Sequence, residues 1–249
     1  PDGETWSEWS RIRSTPTATL PPEEGEHVLF AQFRNGPGLK SPVVSDSIIV
    51  DRTPPEVSAP TVSLRLAPIG GGAASIPVAV RWDARDTAAG LSDASILIDC
   101  GENLTDRSEA PGTADPGEMV TWDAEAMLFG GATCAVTAIS RDGAGNMARS
   151  TIDGVTTPYT AGDRATVAGD QVGVIARRGP DAGRAAVLLD GEALGLVDLF
   201  APEPSGPEVV FVTDLPPGSH GIEIEATGNA DPASTGTTVS VDGFITLAG

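Results

Sequence analysis

The chain has 249 residues, 35 acidic against 15 basic, for a formal net charge of −20. That balance argues against a nucleic-acid partner, whose phosphates are bound through Lys and Arg, and suits solubility and the capture of cations. With 30 Gly, 21 Pro and aromatics at only 4%, the composition predicts many turns, few helices and cores built from Val, Ile, Leu and Ala.

Residues 1–54 read as strands over 6–12, 17–20, 28–33 and 45–50. The turns Pro21-Pro22-Glu23-Glu24-Gly25 and Asn35-Gly36-Pro37-Gly38 separate the later ones. This is half of a sandwich domain, so further strands are expected at its front. Trp6-Ser7-Glu8-Trp9-Ser10 spells the Trp-Ser-x-Trp-Ser box of cytokine receptors. There the box follows the strand that here would be 28–33, so the order is wrong, and two core or inter-strand tryptophans are the expectation.

Residues 55–157 hold enough strands for a complete domain: 61–66, 76–82, 94–99, 119–122, 134–140 and 147–155. Ile76, Val78, Val80 and Trp82 alternate, which places them on one face. Cys100 and Cys134 fall at strand ends. A disulfide between them is expected, worth about 3–4 kcal/mol in the chain-entropy model, with two buried free thiols as the alternative. Pro54-Pro55 and Pro158 mark the domain boundaries.

Residues 158–249 predict eight short strands, at 165–167, 172–176, 185–189, 194–200, 209–213, 221–227, 237–241 and 244–247. Asp190-Gly191 between two apolar runs is the strongest hairpin signal in the chain, because a tight primed turn needs residues that tolerate positive φ. An antiparallel sandwich or jelly roll is the natural solution.

Within the chain, "RNGPGLKS" from Arg34 resembles "RDGAGNMARS" from Arg141, one domain later. These segments, with "GEHVLFAQFRNGPGLKSP", "VSDSIIVDRTPPEV" and "VRWDARDTAAGLSDASILID", resemble the bacterial Ig-like or fibronectin-III-like repeats of cell-surface and secreted proteins. "GRAAVLLDGEALGLVDLF", "DLPPGSHGIEIEATG" and "VSVDGFITL" resemble galactose-binding-like jelly rolls of secreted bacterial proteins. The resemblance implies an all-β chain of tandem antiparallel β-sandwich domains, Ig-like or FnIII-like, ending in a jelly-roll-like sandwich that can bind carbohydrate. It also implies a secreted or surface location, which favours the disulfide.

No catalytic constellation is visible. His27 and His220, the only two histidines, lie in different domains, and neither sits in a metalloprotease pattern. No nucleophile elbow, phosphate-cradling loop or dinucleotide fingerprint occurs. The chain is therefore expected not to be an enzyme.

For a metal, Asp83, Asp86 and Asp93 cluster around one loop and Asp142 with Asn146 around another. In an Ig-like sandwich these two loops can lie at the same end. Hard oxygen ligands of this kind suit Ca²⁺, with Asp83, Asp86 and Asp142 as the candidate set; the competing reading is that Asp and Asn simply form turns. For a polysaccharide or surface glycan, Phe200 at a strand end is the best stacking platform, with Asp198 and His220 as polar partners.

The function this supports is structural and adhesive: Ig-like stalk repeats carrying a carbohydrate-binding module. Two alternatives stay open, the accessory region of a secreted hydrolase, and a self-associating surface-layer or filament subunit whose first domain is completed by strands of another chain. No stretch approaches the roughly 18 to 20 apolar residues of a membrane span. The N-terminus lacks the regions of a signal peptide, which predicts a mature fragment or an internal piece.

Overall fold

The computed structural model describes residues 6–12, 17–70, 75–101, 105–110 and 112–249. Among them there is no helix, hence none long and apolar enough to cross a membrane, and the strands form several antiparallel sheets that pair as sandwiches.

The first segment is a hairpin of β1 (Gly25–Ala31) and β2 (Val44–Val50), in register from Gly25 opposite Val50 to Ala31 opposite Val44. Its apolar side chains are largely open: Phe30, Val44, Ile48 and Ile49 are all exposed. The expected strands at 6–12 and 17–20 do not form. Trp6 and Trp9 are not core residues either; both are more than 40% exposed. The Arg34 guanidinium stacks 4.6 Å above the Trp9 ring, with Lys40 Nζ at 5.7 Å. A cation over an aromatic face is favourable without burial, which lets the ring stay at the surface.

The middle sandwich begins with β3 (Glu56–Val57), β4 (Thr61–Leu64) and β5 (Ser75–Arg85). It continues through β6 (Leu91–Asp99), β7 (Thr105–Ala110), β8 (Met119–Phe129), β9 (Thr133–Asp142) and β10 (Met147–Thr156). One sheet is centred on β5, which pairs with β3, β4 and β8; the other runs β10-β9-β6-β7. The alternation along β5 is realised in full, with Ile76, Val78, Val80, Trp82 and Ala84 all sealed from solvent. Each large side chain buried this way contributes about 1.5–3 kcal/mol. Trp82 sits directly opposite Trp122 of β8, and its indole N–H donates to Ser140 Oγ at 3.3 Å. Cys100 and Cys134 form a disulfide that ties the loop after β6 to the start of β9.

The third sandwich is built from β11 (Tyr159–Ala161), β12 (Arg164–Val167), β13 (Gln171–Ala176) and β14 (Gly183–Leu189), followed by β15 (Glu192–Asp198), β16 (Glu208–Asp214), β17 (His220–Ala230) and β18 (Val241–Leu247). Its sheets are ordered β11-β18-β13-β16 and β12-β17-β14-β15. The Asp190-Gly191 turn has φ of 51° and 83°, the two positive values that a primed turn requires. The strand expected at 237–241 forms only a single parallel bridge, Thr238 to Ala182, before β18 starts.

The two sandwiches are fused. Strands β13 and β18 of the β11-β18-β13-β16 sheet are buried on both faces: Val172, Val174 and Phe244 point into the third sandwich's core, while Ile175, Ile245 and Leu247, with Val209 of β16, join Leu64 in the core of the middle one. Opposite parity along β13 and β18 makes this possible, since successive side chains leave a strand on opposite faces. Gly173 marks the closest approach; a Cβ there would meet Leu64 Cδ1 at 3.3 Å, Ile245 at 3.2 Å and Val209 at 3.1 Å. Backbone bonds seal the seam, Thr156 and Ala248 exchanging a pair at 2.8 and 3.1 Å and Val209 N–H donating to Ala67 O at 2.9 Å.

Candidate metal centre

At the end of the middle sandwich nearest the β1–β2 hairpin, three carboxylates converge. Asp51, Asp86 and Asp142 are all buried, and one oxygen from each lies within 4.8 Å of the other two. Three such oxygens could hold a metal ion. At an effective dielectric of about 20, each ionised pair at that separation repels by on the order of 3 kcal/mol, so the arrangement needs compensating positive charge or dipoles.

Asp86 follows β5 and folds its carboxylate back over its own loop. Its Oδ1 accepts from the N–H groups of Ala88, Ala89 and Gly90 at 3.0, 2.7 and 2.9 Å. Gly90 has φ +68°, and a Cβ there would stand 2.3 Å from Ala114 O, so only glycine fits. Asp142 ends β9 and opens the turn into β10. Its Oδ1 accepts the Asn146 N–H at 2.8 Å and its Oδ2 the Asn146 side-chain amide at 2.7 Å. The two loops are joined by Gly143 N–H donating to Gly90 O at 3.0 Å.

Asp51 is the first residue after β2. Its Oδ1 accepts the Thr53 N–H at 3.0 Å, and its main-chain oxygen accepts the Asn146 amide at 3.2 Å. Its Oδ2 is sealed from solvent and accepts nothing. A carboxylate oxygen buried without a donor is costly, on the order of 1–3 kcal/mol or more for a charged group.

Of the expected metal ligands, Asp86 and Asp142 are therefore brought together with Asn146, while Asp83 stands apart. Asp83 shares the outward face of β5 with Arg81 and accepts from Thr121 Oγ1 at 2.6 Å. Asp93 is also outside the cluster, 3.6 Å from Arg141. The third carboxylate, Asp51, was missed by sequence reasoning. Its available signal was its position, directly between a strand and the Pro54-Pro55 boundary, at the end of the sandwich to which both loops belong.

The residues expected to bind sugar fall into two groups. Asp198 accepts from the Phe200 N–H at 3.0 Å and from Arg184 Nε at 2.9 Å. The Phe200 N–H and then the Arg184 guanidinium hold the Asp198 carboxyl below its usual range. Phe200 is half-buried beside it. His220 lies at the other end of β14, beside the Asp190-Gly191 turn, whereas Asp198 pairs with Arg184 near the start of that strand. Five residues of β14, Ala185 to Leu189, lie between Arg184, which holds Asp198, and Asp190, which holds His220.

No protein-family model matches the chain, and no curated protein matches it either.

Proposed function

We propose that the chain is a non-catalytic structural module of a secreted or surface-displayed protein, with an Ig-like or fibronectin-III-like sandwich fused to a jelly-roll-like one. The observation that carries this reading is the doubly buried sheet, through which Ile175, Val209, Ile245 and Leu247 serve the middle core while their strand neighbours serve the third. Flexible tethering would leave those side chains in water; fusion makes the pair one stiff body.

The strand orders support the two family-level names. Counted within the third sandwich, its sheets run 1-8-3-6 and 2-7-4-5, two interleaved Greek keys. In the middle sandwich the sheet β10-β9-β6-β7 faces one centred on β5, as the G-F-C-C′ sheet of an Ig-type sandwich faces its partner. The disulfide suits an oxidising, extracellular setting. Calcium is the ion that an all-carboxylate cluster would select there.

Unfolding of the full chain tests the reading. The change in tryptophan fluorescence reports the middle sandwich through its buried Trp82 and Trp122, Trp6 and Trp9 being solvent-exposed already, and far-ultraviolet circular dichroism reports all strands. Coincident transitions are expected; two well-separated transitions would refute a fused module.

A second reading, polysaccharide binding by the third sandwich, draws on the architecture shared with lectin domains and on Phe200, two residues beyond the end of the edge strand β15. Saturable binding to a panel of bacterial and plant polysaccharides, lost in Phe200→Ala, would establish it.

A further inference from the structure

We infer that Asp51, Asp86 and Asp142 bind a calcium ion, and that this ion is the clasp fixing the β1–β2 hairpin to the end of the middle sandwich. The inference rests on the extracellular reading above only for the supply of calcium.

The ligand chemistry points to a hard cation. All three groups are carboxylates, and neither cysteine nor histidine is among them, which disfavours zinc. Calcium–oxygen distances of about 2.3–2.6 Å place two ligands on one ion up to roughly 5 Å apart. The observed spacing, within 4.8 Å, meets that requirement without movement. Magnesium, at about 2.0–2.1 Å, demands a tighter set and keeps its waters.

A cluster of acids can be a solvated accident, but this one is not solvated. Asp51 is 8% exposed, Asp86 4% and Asp142 1%. Donors already satisfy one oxygen of Asp86 and both oxygens of Asp142, so those two side chains are held in place before any ion arrives. Asp51 Oδ2 is the exception, buried with no donor while its own carboxylate belongs to the cluster. An ion between the three would supply the partner that this oxygen lacks.

The position of Asp51 gives the ion its consequence. Asp86 and Asp142 belong to loops of one sandwich already joined by a backbone bond, so an ion shared by those two alone would restrain little. Asp51 directly follows the hairpin strand β2. A two-stranded hairpin with its apolar residues exposed is at best marginally stable in water, and fixing its exit to a folded sandwich limits the orientations it can sample. Glu24 helps from the hairpin side, accepting from the Arg52 N–H at 3.0 Å and from Thr53 Oγ1 at 2.9 Å.

Calorimetric titration of the chelator-treated full chain with Ca²⁺, alongside hydrogen exchange of residues 25–50, tests both parts. One stoichiometric calcium site is expected, with affinity of roughly 10⁻⁴ M or tighter as in extracellular modules. Exchange of the hairpin amides should slow on loading. Asp51→Asn should weaken binding by about tenfold or more and abolish the slowing, whereas Asp123→Asn, an exposed partner of Arg81, should change neither. Asp51 lies outside both sandwiches, and their unfolding transition serves as the check that the variant folds. Absence of stoichiometric binding, equal affinity for Mg²⁺, or unchanged affinity in Asp51→Asn would overturn the site. Binding without any change in hairpin exchange would overturn the clasp. Separate melting of the two sandwiches, by contrast, would overturn the structural reading and leave the calcium site standing.

Discussion

His220 Nδ1 lies 2.7 Å from Asp190 Oδ2, and the Gly221 N–H donates to the other oxygen of the same carboxylate at 2.7 Å. The pair fastens the β14–β15 turn to the start of β17. Hydrogen bonding to Asp190 raises the His220 pKa above its ordinary 6.5, and the reciprocal bond lowers that of Asp190 below 3.8. The His contribution is therefore full below pH 6.5 and is lost as pH rises through the raised folded value. The Asp contribution is full above pH 3.8 and is lost as pH falls through the depressed one. Melting temperature measured against pH should show His220→Asn less stable than the parent chain between these limits. The gap should close above the folded His value; a gap that persists undiminished at pH 9 would rule out the ion pair as its source.

Removing the disulfide should be costly. Cys100 and Cys134 are separated by 34 positions, a loop whose closure contributes about 3–4 kcal/mol in the chain-entropy model. The double variant Cys100→Ser, Cys134→Ser should shift the denaturant midpoint accordingly, and reductant should shift the parent chain but not the variant.

Leu64→Ala probes the seam. Leu64 is buried against Gly173, and deleting its side chain should cost about 2–4 kcal/mol, including the cavity left behind. Native-state hydrogen exchange should accelerate in β13 and β18 as well as in β4. Acceleration confined to the middle sandwich would mean that the two cores are energetically separate.

Gly90→Ala should damage both folding and cation binding. The new Cβ would stand 2.3 Å from Ala114 O at a positive φ, a combination costing on the order of 2–3 kcal/mol. The loop carrying Asp86 would have to move. Gly145→Ala is the matched control, positive in φ but with open space around it, and should cost about 1 kcal/mol with little effect on affinity. Calorimetry on both variants separates backbone strain from loss of the site.

The parts of this fold set by neighbours in sequence were legible, and those set by docking were not. Asp190-Gly191 determines its hairpin through local φ requirements, and the alternation from Ile76 to Trp82 determines a buried face through strand period. Thr237 to Val241 alternates as well, yet it runs parallel past Ala182 and bridges once, because pairing depends on where β14 lies in space. The residues Val172-Gly173-Val174-Ile175-Ala176 carried a signal that could have been read further: an uninterrupted apolar run is what a strand buried on both faces requires. The metal cluster was half legible for the same reason. Asp86 and Asp142 belong to loops of one sandwich, whereas Asp51 joins them only through the path of the chain between β2 and β3.

The sheet shared by the two cores also governs when folding can finish. Ile245 and Leu247 line the core of a sandwich whose other strands end at Thr156. A chain emerging from the ribosome, or threading through a translocation pore, has made every strand of the middle unit long before residue 247 appears. Until then that unit has an unsealed apolar flank, and the interval is one in which a holdase or a neighbouring nascent chain could occupy it.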